Sequence, residues 1–267
     1  MPTLEQISYS REATIAAFND YYQFLTTMYL PEDAGEKPPV EGGYWPSITK
    51  EKVQLLGKNN EVFELMRRLS YLPDEAFLVA FAKAAHWPSI LEGPMSSQLE
   101  LEQTRLISEG FYWQDIPSSA FSIAAYGHDN DEIILDTQFG LIYWLETPDW
   151  IQNDPIKEPF LDTELLRMYT PNNEHDWREH TAWAIADFFE VLKNELRLLK
   201  SVPITCTHIE GWHEPEQDFF QCKAGLEIYF VRRTYQMYGW PDLSVYDKDS
   251  CQEAVERLIE SWQEFCL

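Results

Sequence analysis

Two short apolar runs near the middle of the chain constrain its fold most strongly. Residues 132–136 and Leu141–Trp144 are separated by a short segment that ends in Gly140. Short runs rich in β-branched and aromatic residues around a glycine predict a β-hairpin or meander, in which Gly140 can adopt a positive φ. Both faces of Leu141–Trp144 are apolar or amphipathic, so we expect a central strand that helices cover.

The apolar spacing changes along the chain and separates a sheet from helices. Phe121, Ile123 and Ala125 alternate with small or polar residues, which adds a strand before the hairpin. On either side of these strands apolar residues recur every three or four positions, which is typical of amphipathic helices. Thr49 or Asn60 is the expected cap of two of the short helices. The pattern predicts helices over 4–29, 52–56, 61–69, parts of 73–110, 174–200, 216–238 and 249–265.

The length and composition are those of one globular unit. A chain of 267 residues with 45% hydrophobic residues can bury one substantial core. We therefore predict an α+β fold with a single domain over residues 1–267. A small, mainly antiparallel sheet within 118–146 would be covered by long helices from a helical N-terminal part, 1–115, and a helical C-terminal part, 174–267.

The charge excludes whole classes of partner. Lys and Arg total 20 against 45 Asp and Glu, a formal net charge of −25. Nucleic acid and anionic membrane surfaces repel such a chain, so we expect neither as a partner. A solvated surface is the simpler interpretation of the charge, and steering of a cationic ligand is the alternative. The chain has neither a signal peptide nor a run of apolar residues that could span a membrane, which predicts a cytoplasmic protein.

The sequence lacks the motifs of nucleotide, metal and covalent chemistry, such as G-x-S-x-G or H-E-x-x-H. One segment could converge on a cation, but its spacing fits no established metal site. A solvated acidic loop is the favoured interpretation, so we predict no metal and no cofactor. The residues of that segment are His208, Glu210, His213 and Glu214.

The cysteines share no C-x-x-C spacing. In a reducing compartment they are expected to be free, buried thiols. They are Cys206, Cys222, Cys251 and Cys266.

Two histidines are candidate catalytic groups. His128 is expected at the end of a strand, where groups that line pockets are common, although a hydrogen-bonded turn also explains it. His180 lies in a predicted helix and could act as a hydrogen-bond donor or a general acid or base. A histidine whose hydrogen bonds are satisfied at the edge of the core is the alternative for His180.

Aromatic residues make up 15% of the chain. Rings from segments that a sheet-and-helix packing would bring together could form the wall of a pocket for an apolar ligand. Packing within the core is the alternative, and it is the simpler explanation of the same residues. The candidate ligand-binding residues are Trp113, Tyr126, Tyr143, Trp144 and Trp183.

The segments DEIILDTQFGLIYWLE and WAIADFFEVLKNEL resemble the central portion of domains in the SUKH superfamily. The resemblance covers residues 131–196 and implies a strand, a glycine-containing turn, a second strand and a later helix. It implies a protein-interaction module without catalytic residues. The N-terminal third departs from the pattern of the superfamily.

Other segments, YYQFLTTMYLP, LLGKNNEV and YGWPDLSVYD, are similar to those of uncharacterised proteins of filamentous fungi. Some such proteins belong to specialised-metabolite pathways that use cofactor-independent cyclases and pericyclases. Two hypotheses follow. In the first, an aromatic pocket binds an apolar small molecule and holds it for a cyclisation of the Diels-Alderase type, which needs no nucleophile. In the second, the domain is a SUKH-like module that binds a protein partner and catalyses nothing.

Overall fold

The computed structural model describes residues 3–39, 42–110, 112–124, 131–153, 156–160, 177–212 and 223–264. These residues form nine α-helices and eight β-strands. The strands belong to one four-stranded sheet and two separate hairpins, all antiparallel. The predicted α+β class is therefore confirmed.

The N-terminal helices begin where polar side chains cap them. Helix α1 (Arg11–Met28) follows Ser10, whose hydroxyl accepts a hydrogen bond from the Ala13 amide. Thr49 caps α2 (Lys50–Leu55), as predicted. The cap of α3 (Asn60–Met66) is Asn59 and not Asn60, because the Asn59 carboxamide accepts from the amide of Val62.

The region 73–110 is only partly helical. A hairpin of β1 (Phe77–Val79) and β2 (Ala82–Lys83) replaces the first part of the predicted helix. A short α4 (Trp87–Ile90) and a longer α5 (Gln98–Glu109) follow. The sequence also predicts breaks near Trp87 and Gly93. Trp87 is the first residue of α4, after the hairpin, and Gly93 lies between α4 and α5.

The main sheet has the order β3 (Ala120–Ser122), β4 (Ile133–Asp136), β5 (Leu141–Trp144) and β6 (Thr181–Ala184). Strand β5 is central and wholly buried, as predicted. Gly140 in the β4–β5 turn has a φ of 69°. A Cβ at Gly140 would lie 2.9 Å from the Tyr9 amide nitrogen, so the N-terminal segment also requires a glycine here.

The helix predicted over 174–200 is wrong over residues 177–184. Thr181–Ala184 forms strand β6, which pairs with β5 so that Trp183 lies opposite Ile142. A 3-10 turn (Trp177–Glu179) comes before this strand, and helix α7 (Ile185–Arg197) begins directly after it. The open edge of β5 provides hydrogen-bonding partners that the local helical spacing does not reveal. A short α6 (Asp149–Asn153) lies between β5 and β6 in the sequence.

One face of the sheet packs on α7 and through it on α1. The ring of Phe188 contacts Trp144 and Trp183 at centroid distances of 6.3 and 6.1 Å. Its neighbour Phe189 packs edge-on against Phe18 of α1 at 4.8 Å. These aromatic contacts form the centre of the larger hydrophobic core.

The opposite face of the sheet carries a smaller core that irregular segments cover. Tyr143 and Ala182 project from the sheet, and Trp177 and Phe160 pack over them. Leu4 of the N-terminal 3-10 turn packs at the margin of this core. Among the described residues this side is covered by turns and loops, whereas the sequence predicted helices on both sides.

The C-terminal part adds a second hairpin and two helices. Strands β7 (Ser201–Thr205) and β8 (His208–Gly211) pair, and β8 replaces the first part of the acidic loop predicted over 208–214. Helices α8 (Lys223–Met237) and α9 (Lys248–Glu264) agree with the prediction over the residues described. In the described ranges, no helix has both the length and the apolar character needed to cross a bilayer.

The cysteines agree only in part with the prediction of buried thiols. Cys251 is a free and buried thiol, as expected. Cys206 is free but exposed, because it lies in the turn between β7 and β8. Cys222 and Cys266 lie outside the described residues.

Candidate functional site

The sheet separates the aromatic residues that were predicted to share a pocket. Tyr143 and Trp144 are adjacent on β5 and therefore face opposite sides of the sheet. Trp183 lies on the same side as Trp144, and both side chains are fully buried. Nε1 of Trp144 donates to Oδ2 of Asp131 at 2.7 Å, and Nε1 of Trp183 donates to the carbonyl of Lys157 at 3.0 Å. Both indoles thus have the contacts of packed core residues.

Tyr143 belongs to a buried polar cluster in the smaller core. Its ring packs edge-on against Trp177 at 5.0 Å, and Cζ of Arg178 lies 4.4 Å from the centre of the Trp177 ring. Arg178 is 3% exposed and donates from Nη2 to Oδ2 of Asp136 at 2.6 Å. The remaining carboxylate oxygen of Asp136 accepts from the Ser119 hydroxyl at 3.2 Å. Asp136 therefore has a hydrogen bond at each oxygen, as a buried carboxylate requires.

Three buried donors of this cluster make no hydrogen bond of acceptable geometry with the described residues. They are the Tyr143 hydroxyl, Nε1 of Trp177 and Nη1 of Arg178. Burial raises the pKa of Tyr143, so the phenol remains protonated and able to donate. Among the described residues, these groups therefore lack an acceptor in suitable geometry.

The other predicted site residues lie at the margin or outside the described chain. His180 is half-buried, and its ring lies 6.1 Å from that of Tyr112. The half-buried Trp113 lies beneath the guanidinium of Arg105 at 5.0 Å. His128 and Tyr126 fall outside the described residues, so the structure brings together only part of the predicted set.

The segment considered for metal binding forms an ion pair in β8. Nε2 of His208 lies 2.7 Å from Oε1 of Glu210, and both side chains are partly exposed. The hydrogen bond with Glu210 raises the pKa of His208. His213 and Glu214 lie outside the described residues, within which no group of three or more potential ligands converges.

A surface groove of about 350 Å³ lies between the end of α1, the β7–β8 hairpin and α9. Its lining includes Tyr29, Ile204, the exposed Cys206 and Gln252. None of the predicted aromatic residues lines this groove.

Helix α5 has an arrangement that its apolar spacing does not predict, since it buries Ser108 and Glu109 and exposes three of its four apolar residues, while the fourth, Leu101, packs against the core. Ser108 and Glu109 are 0% and 1% exposed. Leu99, Leu106 and Ile107 are 64%, 41% and 57% exposed. An amphipathic helix on a protein surface normally has the opposite orientation. We call Leu99, Leu106 and Ile107 the α5 stripe.

A buried ion pair holds α5 in this orientation. Nζ of Lys58 contacts Oε1 of Glu109, and both side chains are 1% exposed. Burial lowers the pKa of Lys58, and the attraction of Glu109 opposes that fall. Arg105, one turn earlier on the helix, approaches Glu109 with its Nε at 3.5 Å and donates from Nη2 to the carbonyl of Trp113. Rotating α5 to bury the stripe would leave these charges without partners.

Acidic residues flank the α5 stripe on both sides. At about 100° per residue, Glu102 lies about 40° beyond Leu106, and Glu100 lies about 20° beyond Ile107. Oε2 of Glu100 accepts hydrogen bonds from Ser96 and Ser97 at the start of the helix, and these bonds lower the pKa of Glu100. Arg105 is the one basic residue in Gln98–Glu109, and it turns toward Glu109.

No protein-family model, no curated protein and no solved structure matches this chain.

Proposed function

We propose that this protein is a non-catalytic interaction module that binds a protein partner through the α5 stripe. The single observation that carries the proposal is the inverted orientation of α5, with leucine and isoleucine in solvent and Glu109 in the interior. Exposed apolar side chains that lie together on one face commonly mark contact sites for other proteins.

The energetics of α5 support a contact surface. Removing one partner from a buried ion pair costs about 3–5 kcal/mol, so Lys58 and Glu109 maintain the orientation of the helix. Burying a half-exposed leucine or isoleucine against a partner contributes roughly 1 kcal/mol or somewhat more. Three such residues give a small interface of the kind found in transient complexes.

The packing of the aromatic residues also supports an interaction module. Trp144 and Trp183, candidates for the wall of a pocket, are fully buried and hydrogen-bonded within the larger core. An interaction module of this kind agrees with the resemblance to SUKH domains, which implies no catalytic residues.

A second candidate function is the binding of an apolar small molecule for cofactor-independent cyclisation. The observation that favours it is a set of buried donors, at Tyr143, Trp177 and Arg178, that have no acceptor in suitable geometry within the described part of the chain. Such donors could polarise a carbonyl group of a bound ligand. The ligand would have to displace side chains of the smaller core, since these residues are almost wholly buried.

Affinity capture with two matched variants tests the proposed function. Leu106→Ser removes the centre of the α5 stripe, whereas Leu243→Ser removes an exposed leucine at a distant position in the sequence. We expect wild type and Leu243→Ser to retain the same protein from an extract of the cells that make this chain, and Leu106→Ser to lose it.

Equal retention by both variants would contradict the use of the α5 stripe. Native mass spectrometry of the same samples addresses the second candidate function. A small molecule that remains bound, and is lost on Tyr143→Phe, would favour ligand binding over the interaction module.

A further inference from the structure

We propose that the α5 stripe binds a basic amphipathic helix of another protein, which lies along α5 with its apolar face on the stripe. This inference rests on the proposed function and specifies the chemistry of the partner. It follows from the shape of the stripe, from the acidic residues at its two edges and from the charge of the chain.

The shape of the stripe fits a helix. Leu99 and Leu106 are seven residues apart, and Gln103 lies between them on the same face. From Leu99 to Ile107 the stripe extends about 12 Å, which is about two helical turns. A partner helix with apolar residues at positions i, i+3 or i+4, and i+7 would place them between these side chains.

The charges select a basic partner. Glu102 and Glu100 border the stripe on opposite sides, and the exposed Glu92 lies before the helix. The basic residue of α5, Arg105, is directed toward Glu109 and the carbonyl of Trp113. Lysine or arginine residues on both sides of the partner's apolar face would therefore meet carboxylates.

The net charge of −25 acts in the same direction over longer distances. It accelerates the approach of a cationic segment and repels acidic ones, and it does so less at high salt. A strand is a poorer fit to this surface, because the stripe lies on a helix and offers no open backbone hydrogen bonds.

Fluorescence anisotropy with designed peptides tests the proposal. The probe is a labelled helical peptide with leucines at i, i+4 and i+7 and with lysines on both flanks. Its controls are a peptide with glutamates in place of the lysines and a scrambled peptide of identical composition. We expect the full chain to bind the basic helical peptide at least tenfold more tightly than either control, with binding that weakens from low to high salt.

Variants locate the site on α5. We expect Leu106→Ser to weaken binding of the basic peptide about tenfold, while Leu243→Ser leaves it unchanged. Glu102→Lys should weaken binding of the basic peptide and strengthen binding of the acidic one. Because these residues are exposed or partly exposed, each variant should retain the circular dichroism spectrum of the wild type.

Three results would overturn the proposal. The first is equal binding of the basic and acidic peptides, and the second is binding that Leu106→Ser does not change. The third is self-association of the wild type that Leu106→Ser abolishes, which would assign the stripe to a second copy of the chain. If the designed peptides do not bind, but Leu106→Ser still abolishes the capture of a protein, the proposed basic helix is wrong and the proposed interaction function stands.

Discussion

The carboxyl group of Asp131 should make the stability of this protein depend on pH. Asp131 is 8% exposed and accepts a hydrogen bond from Nε1 of Trp144 at 2.7 Å. Burial raises the pKa of Asp131 from 3.8 to about 7, and the charge of Glu146 adds to the rise, while the Trp144 hydrogen bond opposes it. The folded protein therefore holds a proton here that the unfolded chain releases.

The sign and size of the effect follow from this difference in pKa. Between pH 4 and pH 7 the folded state binds more protons at Asp131, so its contribution to stability falls as the pH rises. One pKa unit corresponds to about 1.4 kcal/mol, and the penalty therefore approaches about 4 kcal/mol above pH 8. At pH 5.5 about half of that penalty is already present.

Asp131→Asn removes the titration and keeps an oxygen that can accept from Trp144. We expect the free energy of unfolding of this variant, relative to the wild type, to increase by about 2 kcal/mol between pH 5.5 and pH 8.5. Urea unfolding, followed by tryptophan fluorescence at the two pH values, measures this change in the free energy of unfolding. Asp33→Asn, at an exposed position, is the matched control. A constant difference between variant and wild type across this range would refute a raised pKa at Asp131.

Three further substitutions test other parts of the structure. Asp136→Asn leaves Arg178 as an unpaired buried charge, and we expect urea unfolding to show that the free energy of unfolding falls by about 3–5 kcal/mol. A fall within the error of the measurement would contradict the buried pair. Gly140→Ala should destabilise the protein by about 1–3 kcal/mol in the same assay, because φ is positive and the N-terminal segment is in contact. Glu210→Gln should lower the pKa of His208 in an NMR titration, since the hydrogen bond that His208 donates to Glu210 is the main cause of its rise; an unchanged value would exclude that pair in solution.

The sheet was partly predictable because its central strands carry a strong local pattern. Leu141–Trp144 is apolar on both faces, and Gly140 gives the turn its positive φ. Strand β6 was not predicted, because Thr181–Ala184 also fits the three- and four-residue spacing of a helix. Its conformation depends on pairing with β5, which is a contact distant in sequence. The β7–β8 hairpin was not predicted either, because Pro203 lies within its first strand and proline is rare inside strands.

The candidate site could not be predicted from local pattern alone. In the sequence of α5, Leu99 and Leu106 appear as the residues that a surface helix would bury. What reverses the helix is the pairing of Glu109 with Lys58, a residue far away in the chain. The local sequence gives one indication of this orientation. Glu109, near the end of the helix, lies on the same face as Ser108 and Arg105.

Photo-crosslinking along α5 tests the interaction surface most directly. A photoreactive residue is placed at one position at a time, in the cells that make the protein, and the yield of the crosslinked partner is measured. We predict high yields at Leu99, Leu106 and Ile107 and low yields at Leu101 and Thr104, following the period of the helix. Yields that are uniform along α5, or absent from all five positions, would contradict an interaction module that uses this helix.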